Sequence, residues 1–247
     1  MCNDTPNIVS HDVAPALYLI PVTLGDTSHE RVLPAWNAEI VGDIRHFIVE
    51  DVRSARRFLR QMNRTFPIDE CIFCEMGKHA DESRFAEYLR PLTEGKSIGL
   101  ISEAGCPAVA DPGALLVAIA QRRGFRVVPL VGPCSMILAV MASGLNGQSF
   151  AFNGYLPVEP DERARRLKLL ESRALSEGQT QLFIETPYRN RKMFDALLQH
   201  LRPQTRLCIA AGITTSEEWI HTHTVQEWRS LGLPDLSKTP AIFLLGK

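Results

Sequence analysis

The stretch that decides the fold runs over residues 97–136 and reads SIGLISEAGCPAVADPGALLVAIAQRRGFRVVPLVGPCSM. It contains two short apolar segments, 98–101 and 127–131, each followed by small residues and prolines and then by a helical pattern. In an open α/β sheet, ligands bind in the crevice outside the carboxyl ends of the strands. We therefore expect the loops 102–105 and 132–135 to form two walls of one binding site.

The first half of the chain repeats this alternation of strand and helix. Residues 16–20 are continuously apolar, as in a strand that is buried on both faces. Residues 52–62 place apolar side chains on one face of a helix. A further helix is predicted to start at Asp111, because Asp is a favoured N-cap and Pro112 suits a first turn. The remaining strands predicted here are 47–50 and 71–74.

The second half shows a mixed pattern that indicates an antiparallel component. A turn-rich stretch at 143–149 (SGLNGQS) separates the two halves. We predict an α/β protein of two domains, with a mostly parallel sheet in 1–146 and a mixed sheet in 147–247. The elements predicted for the second domain are helices at 159–176 and 191–201 and strands at 181–185, 206–210, 218–224 and 241–245.

Composition limits the classes of function. The chain has 247 residues, 45% hydrophobic and 22% charged residues, and a net charge of −1. A near-neutral chain exerts no global attraction on nucleic acid, so an RNA partner would need local basic patches. No apolar run approaches the roughly 20 residues that span a bilayer, and the N-terminus lacks the pattern of a secretory signal. We expect no membrane association and a cytoplasmic location.

Cysteine chemistry is not expected to carry the function. Cys71 and Cys74 form a C-x-x-C in an apolar, strand-like run without a second pair of ligands. A zinc site needs two more Cys or His residues at ligand spacing, and a redox motif needs a helix N-terminus. These cysteines are interpreted as buried strand residues, and no metal site is predicted.

Small residues and prolines follow several predicted strands. The sequence lacks both the dinucleotide-binding glycine fingerprint and the phosphate-binding loop with its lysine. Instead, 21–26 reads PVTLGD after the first strand and 185–189 reads ETPYR in the second half. Such loops let a ligand lie close to backbone N–H and C=O groups, although one alone would be an ordinary tight turn. Their repetition at strand ends favours a binding site.

The order of six motifs resembles a known family. The motifs are PVTLGD at 21–26, VEDVRSARRFL at 49–59, LISEAGCPAVADPG at 100–113, VPLVGPCSM at 128–136, FNGYLP at 152–157 and ETPYR at 185–189. By these motifs the chain resembles the tetrapyrrole-methylase superfamily of S-adenosylmethionine-dependent methyltransferases. Within it, the chain is most similar to the ribosomal RNA small-subunit methyltransferase I family, which methylates a ribose 2′-hydroxyl in 16S rRNA.

This resemblance implies a homodimeric enzyme that binds S-adenosylmethionine in a cleft between two α/β domains. Glu103 is then the acid that would bind either the ammonium group or the ribose diol of the cofactor. The motif positions imply cofactor contacts from Pro21, Ser102, Glu103, Ala104, Cys134, Ser135, Glu185, Thr214 and Ala241.

The chain departs from the family pattern at several points. Glu103 stands where the family has Asp, Thr23 stands where glycine is expected in a loop one residue shorter, and 212–215 reads GITT in place of an acidic-Leu-Thr-Lys segment. The C-terminal extension common in the RNA enzymes does not follow Lys247. These departures, with the near-neutral charge, keep open a tetrapyrrole or other small-molecule acceptor, or a cofactor-binding protein without turnover.

Two features bear on the acceptor. Arg53, Arg56, Arg57, Arg60 and Arg64 share one helical face, which would either track RNA phosphates or be a solvated face paired with acids. A ribose hydroxyl is a poor nucleophile, so a positioned base or close alignment should assist its methylation. The candidate bases are Asp26, Asp51 and His79.

Overall fold

The computed structural model describes residues 15–76 and 84–247. Its contacts divide the chain into two compact units. The first contains the described residues up to Val22 together with Leu33–Gly132, and the second contains Thr23–Val32 and Pro133–Lys247. His79 lies outside the described residues.

The first unit alternates strands and helices. Its strands are β1 (Leu17–Ile20), β2 (His46–Val49), β3 (Ile72–Glu75), β4 (Ile98–Ile101) and β5 (Val127–Pro129). Its helices are α1 (Ala35–Gly42), α2 (Val52–Met62), α3 (Phe85–Tyr88), α4 (Arg90–Thr93) and α5 (Ala114–Arg122).

These five strands form a sheet of order β3-β2-β4-β1-β5 in which every pair is parallel. The central strand β4 is fully buried, as its apolar sequence predicts. Gly99 is required in β4, because a Cβ there would lie 2.6 Å from the Ile20 side chain and 2.9 Å from that of Phe47. The predicted parallel sheet is confirmed.

The second unit contains the other strands and helices. Its strands are β6 (Phe150–Tyr155), β7 (Thr180–Glu185), β8 (Arg206–Ala211), β9 (Trp219–Thr224) and β10 (Ala241–Gly246). Its helices are α6 (Ser135–Ser143), α7 (Pro160–Glu177), α8 (Asn190–His200) and α9 (Val225–Leu231). Strand β6 has no counterpart among the predicted elements.

The second sheet is mixed, with order β6-β7-β10-β8-β9. Strands β6 and β7 are parallel, and the other three pairs are antiparallel. Alternate side chains of β7, β8 and β10 enter two separate cores. Phe183 and Phe243 face the core of α7, α8 and α9 and stack at 5.6 Å, whereas Leu182 and Leu244 face the core of α6. The predicted mixed sheet is confirmed.

The division between the units falls before α6, earlier than the expected boundary at 146/147. The reason is the packing of α6, whose Ala139 and Val140 lie in a core with Leu182 and Leu244 of the second sheet. The segment Thr23–Val32 also belongs to the second unit, although it follows β1 directly. The sequence near 143–149 shows turn residues but does not show which sheet α6 packs against, so it could not indicate the boundary before α6.

The predicted helix start at Asp111 is wrong. Helix α5 begins at Ala114, and its N-cap is Gly113, which has a φ of 126°. Asp111 instead interacts with Ser102, a residue of the preceding loop. None of the helices in residues 15–76 and 84–247 is both long and apolar enough to cross a membrane.

Candidate functional site

The carboxyl ends of β1, β4 and β5 meet at one edge of the first sheet. The Val22 amide donates a hydrogen bond of 2.9 Å to the Gly105 carbonyl, which joins the loops after β1 and β4. A Cβ on Gly132 would lie 2.3 Å from the Pro21 ring, so only glycine allows the loop after β5 to approach so closely. The structure therefore brings the loop carrying Pro21 against the predicted loop 102–105 and against Gly132, the first residue of the predicted loop 132–135.

The end of β2 is tied to the same edge. The Glu50 amide donates to the Ile101 carbonyl at 3.2 Å, and the Glu103 amide donates to Glu50 Oε2 at 3.2 Å. Ser102 is buried, whereas the side chains of Glu103 and Ala104 are exposed. The predicted contact residues Ser102, Glu103 and Ala104 thus occupy one loop that follows the most buried strand of this sheet.

Asp111 is the residue of this edge that the sequence analysis missed. Partial burial raises the pKa of its carboxyl to about 6, the negative charges of Glu50 and Glu103 add to the rise, and the nearby Ser102 side chain opposes it. Three acidic side chains therefore share this edge. The sequence showed only that Asp111 is a second acidic residue in the loop of Glu103. The proximity of Asp111 to Glu50 could not be predicted from the sequence, because the two residues are far apart along the chain.

The backbone of this loop is unusual at two alanines. Ala108 and Ala110 have φ values of 64° and 63°, in the left-handed region that favours glycine. Strained conformations of this kind persist where the surrounding structure holds them. Both alanines lie in the loop that carries Ser102, Glu103 and Asp111.

Such an edge fits a cationic ligand. Bound S-adenosylmethionine would bring an ammonium and a sulfonium, and both charges would be stabilised by nearby carboxylates. The small, exposed side chain of Ala104 leaves room for a ligand against the main chain of this loop. The residues present at this edge thus suit the predicted cofactor.

In the second unit, Glu185 ends β7 with its carboxylate already engaged. Glu185 Oε1 accepts from the Thr186 amide at 2.8 Å, and Oε2 forms an ion pair with Arg189 at 2.9 Å. The Glu185 side chain is 1% exposed. Its carboxylate holds the turn after β7, so any ligand contact at this position would come from its backbone.

Two other predicted residues lie at the same edge of the second sheet. Ala241 begins β10 and pairs directly with Glu185 and Ala211. The turn after β8 contains Thr214, which has a φ of 71° and whose amide donates to Glu218 Oε2 at 2.8 Å. The structure therefore brings Glu185 and Ala241 together, and places Thr214 three residues beyond Ala211.

Cys134 and Ser135 mark the start of α6. Cys134 is the N-cap residue in an extended conformation, and its half-buried thiol forms no disulfide. Helix α6 packs on β8, β9 and β10, and Met136 packs against the same core as Leu24. These residues thus belong to the second unit, together with the segment that follows β1.

The structure places the candidate bases Asp51 and Asp26 in different environments. Asp51 caps α2 by accepting from the Ser54 amide at 2.6 Å, and this bond lowers the pKa of its carboxyl. A carboxylate held in this way is a structural cap and a weak proton acceptor. Asp26 is exposed in the segment assigned to the second unit.

The cysteines show no sign of metal or redox chemistry in the part of the chain described. Burial raises the pKa of both Cys71 and Cys74, which disfavours the reactive thiolate. Both are free, but the interpretation as buried strand residues is wrong: both are half-buried, and Cys71 precedes β3. Residues 15–76 and 84–247 contain no group of three or more His, Cys, Asp or Glu side chains that could hold a metal ion.

Comparison with known proteins assigns the chain to a family. Residues 38–228 match the model of the Tetrapyrrole (Corrin/Porphyrin) Methylases. A Ribosomal RNA small subunit methyltransferase I of Vibrio cholerae is 32% identical over 221 residues, which cover 87% of this chain and 71% of that protein.

Solved structures share the fold at lower identity. The methyltransferase CobJ superposes with a TM-score of 0.62 at 14% identity, over 94% of both chains. Uroporphyrin-III C-methyltransferase from Thermus thermophilus, in complex with S-adenosylhomocysteine, gives 0.52 at 18% identity and covers 94% of this chain and 97% of that chain. The chain belongs to the tetrapyrrole methylases, a family of S-adenosylmethionine-dependent methyltransferases.

Proposed function

We propose that this protein transfers the methyl group of S-adenosylmethionine to a ribose 2′-hydroxyl of 16S rRNA. The observation that carries the proposal is the relative at 32% identity, which covers most of both chains and is named as a ribosomal RNA small subunit methyltransferase. The acceptor, the contact residues and the assembly state below are parts of the same proposal.

The proposed cofactor contacts are the residues at the family's motif positions. Backbone groups of the strand-end loops supply most of them, and the exposed carboxylate of Glu103 binds either the ammonium or the ribose diol. Glu185 contributes its backbone, because its carboxylate is occupied by Thr186 and Arg189. The proposed contact residues are Pro21, Ser102, Glu103, Ala104, Cys134, Ser135, Glu185, Thr214 and Ala241.

Asp111 is the carboxyl that suits proton acceptance. A general base works best when its pKa lies near the working pH, and the pKa of Asp111 is raised to about 6. Asp51, by contrast, is held as a helix cap with a lowered pKa. In the proposed reaction, Asp111 accepts the proton of the ribose hydroxyl as the oxygen attacks the methyl group.

A small-molecule acceptor is the second candidate. The net charge of −1 favours it over RNA, and the similar fold of the uroporphyrin-III enzyme shows that this architecture serves tetrapyrrole methylation in that protein. A third candidate is cofactor binding without turnover, which the departures at Thr23 and 212–215 would allow.

One labelling experiment separates these candidates. The protein is incubated with methyl-labelled S-adenosylmethionine, small ribosomal subunits from a strain lacking the gene, and a small-molecule extract. Label in a 2′-O-methylated nucleotide of 16S rRNA supports the proposal. Label confined to the low-mass fraction, or cofactor binding with no label in either fraction, contradicts it and supports the second or the third candidate respectively.

Cofactor binding is tested separately by calorimetry. Ala104→Phe places a ring on an exposed position of the proposed contact loop and should abolish S-adenosylmethionine binding without unfolding the protein. Ala142→Phe, at an exposed position near the end of α6, is the matched control and should bind normally. Equal affinities in the two variants would remove this loop from the cofactor site.

We also propose a homodimer in the cytoplasm. A ribosomal RNA substrate places the enzyme there, and the family resemblance implies the dimer. Sedimentation at micromolar concentration should give a mass near twice the 27.6 kDa of one chain. A mass of one chain would contradict the dimer and leave the proposed reaction untouched.

A further inference from the structure

Helix α2 presents a surface of one charge. We name Arg53, Arg56, Arg57, Arg60 and Arg64 the arginine face; the first four lie in α2, and Arg64 follows its end. All five residues are exposed, whereas the buried residues of the helix are Ala55, Phe58 and Leu59. No acidic residue occurs in α2, so the exposed side of the helix is positive along its whole length.

The arginine face is not neutralised within the described residues. None of its five guanidinium groups lies within ion-pair distance of a carboxylate there. Asp51 is near enough to interact with the charge of Arg53, but one of its carboxylate oxygens caps the Ser54 amide. The alternative expectation, that these arginines form ion pairs with nearby Asp and Glu residues, is therefore not supported by the described residues.

Several other basic residues of the chain have structural partners. Arg163 donates to the Val158 carbonyl and Arg166 to Asn153 Oδ1, both at 2.9 Å. Arg189 and Arg191 form ion pairs with Glu185 and Asp195. Within the arginine face, Arg60 donates to the Arg64 carbonyl at 2.9 Å, but no guanidinium group of the face is paired with a described carboxylate, so its positive charge remains available to an outside anion.

The arrangement works against the stability of the helix. Residues three and four apart are neighbours on a helix, and like charges at these spacings repel. Arg53 repels Arg56 and Arg57 in this way, and Arg60 repels Arg56 and Arg57. A surface that only needed to be soluble would carry both signs. The repulsion is relieved when an external anion binds.

The chemistry of the face fits phosphodiesters. All five residues are arginines, whose planar guanidinium groups bind phosphate oxygens through two parallel hydrogen bonds. A membrane surface would also need exposed apolar residues on the helix, but Phe58 and Leu59 are buried. Arg56 is held over the Phe73 ring at 5.3 Å, which reduces the conformational freedom it loses on binding.

The face also leads to the candidate site. Helix α2 directly follows β2, and Glu50, at the end of β2, accepts from the Glu103 amide at 3.2 Å. Arg53 to Arg60 extend over about 10 Å at the rise of an α-helix, and Arg64 follows the end of the helix. A single RNA strand along α2 would therefore contact several phosphates and end at the edge that carries Ser102, Glu103 and Asp111.

We propose that the arginine face of α2 binds the phosphate backbone of the RNA substrate and directs it to the candidate site. This inference rests on the proposed function, because it names the surface by which the same enzyme holds its substrate. Each neutralised phosphate adds a salt-dependent increment, so the number of arginines in contact can be read from the salt dependence of binding.

The test compares two triple variants of the full chain. Arg53→Gln with Arg56→Gln and Arg57→Gln removes three positive charges from the face and keeps good helix formers. Arg165→Gln with Lys168→Gln and Lys192→Gln removes three exposed positive charges from the second unit as the matched control. Fluorescence anisotropy of a labelled 16S rRNA fragment is measured between 50 and 400 mM salt, and calorimetry measures S-adenosylmethionine binding.

The face variant should lose about 2 from the slope of log affinity against log salt, since each single-strand contact contributes about 0.7. Its affinity should fall by about 100-fold at 0.1 M salt on the same arithmetic, with cofactor affinity unchanged. The control should match the wild type. An unchanged slope in the face variant, or the loss in the control instead, would overturn the inference.

The same experiment separates this inference from the proposed function. If the wild type methylates 16S rRNA and the face variant keeps its slope, the docking surface is wrong and the reaction stands. If the wild type labels only small molecules and binds the fragment without salt dependence, both proposals are wrong.

Discussion

Replacing Asp111 by Asn should stabilise the protein at neutral pH and leave its stability unchanged in acid. The folded-state pKa of about 6 lies above the ordinary value of 3.8, because burial and the charges of Glu50 and Glu103 oppose ionisation. The folded state thus binds this proton more tightly than the unfolded state. The contribution of protonated Asp111 to the free energy of unfolding is complete below about pH 4 and is lost as the pH rises through about 6.

The magnitude follows from the shift. About two pKa units correspond to at most ~3 kcal/mol, and the partial exposure of Asp111 to solvent reduces this to about 1–2 kcal/mol. Asn cannot ionise and has nearly the size and shape of Asp, so the variant should avoid this penalty at pH 7.5. A chain of this size should then melt about 2–8 °C higher, since each kcal/mol shifts the midpoint by about 2–4 °C.

The assay is thermal unfolding at pH 7.5 and pH 4.5, with Asp235→Asn as the control. Hydrogen bonds from Ser237 lower the pKa of Asp235, so its replacement should destabilise the protein at pH 7.5, the opposite sign. A lower melting temperature for the Asp111 variant at pH 7.5, or an equal difference at both pH values, would refute the electrostatic reasoning.

The titration of Asp111 should also affect cofactor binding and methyl transfer. A cationic cofactor near three carboxyls favours the ionised form of Asp111, so the affinity of the wild type for S-adenosylmethionine should fall as the pH drops below 6. The Asn variant should lose this pH dependence as well as most of its methyl transfer, because it cannot accept a proton. A variant with wild-type turnover would exclude Asp111 as the base.

Three further predictions concern other parts of the chain. Arg57→Glu should replace repulsion with Arg53 and Arg60 by attraction, and so raise the free energy of unfolding by about 0.5–1 kcal/mol in a urea titration. RNA binding should weaken in the same variant, and a reduced free energy of unfolding would contradict the prediction. Gly132→Ala should cost about 1–3 kcal/mol and weaken cofactor binding, since its Cβ would lie 2.3 Å from Pro21, whereas Gly42→Ala, with open space around it, should be neutral or stabilising. Glu185→Gln should lower the free energy of unfolding by about 1–3 kcal/mol, because it removes the buried ion-pair partner of Arg189. Cofactor affinity, measured by calorimetry on the folded variant, should stay near that of the wild type. A much lower affinity would show that the carboxylate binds the ligand directly.

Local patterns in the sequence were sufficient for the elements that depend on local forces. The bounds predicted for α2 and for the central strand β4 are those of the structure, because an amphipathic face and a continuous apolar run are periodic signals within one segment. Helical spacing likewise placed Arg53, Arg56, Arg57 and Arg60 on one side of α2, but the prediction was wrong for Arg64, which follows the extended Asn63 at the end of the helix. The resemblance to the tetrapyrrole methylases likewise rested on motifs in a fixed order, and the family match confirms it.

Tertiary structure decided what depends on distant partners. Asp111 has the features of an N-cap in the sequence, but its contact with Ser102 and the charge of Glu50 make it a half-buried acid at the edge of the sheet. The carboxylate of Glu185 is committed to Thr186 and Arg189, a fact that depends on how the turn after β7 folds. Whether a polar side chain serves a ligand or the fold is set by the groups packed around it, and those come from remote parts of the chain.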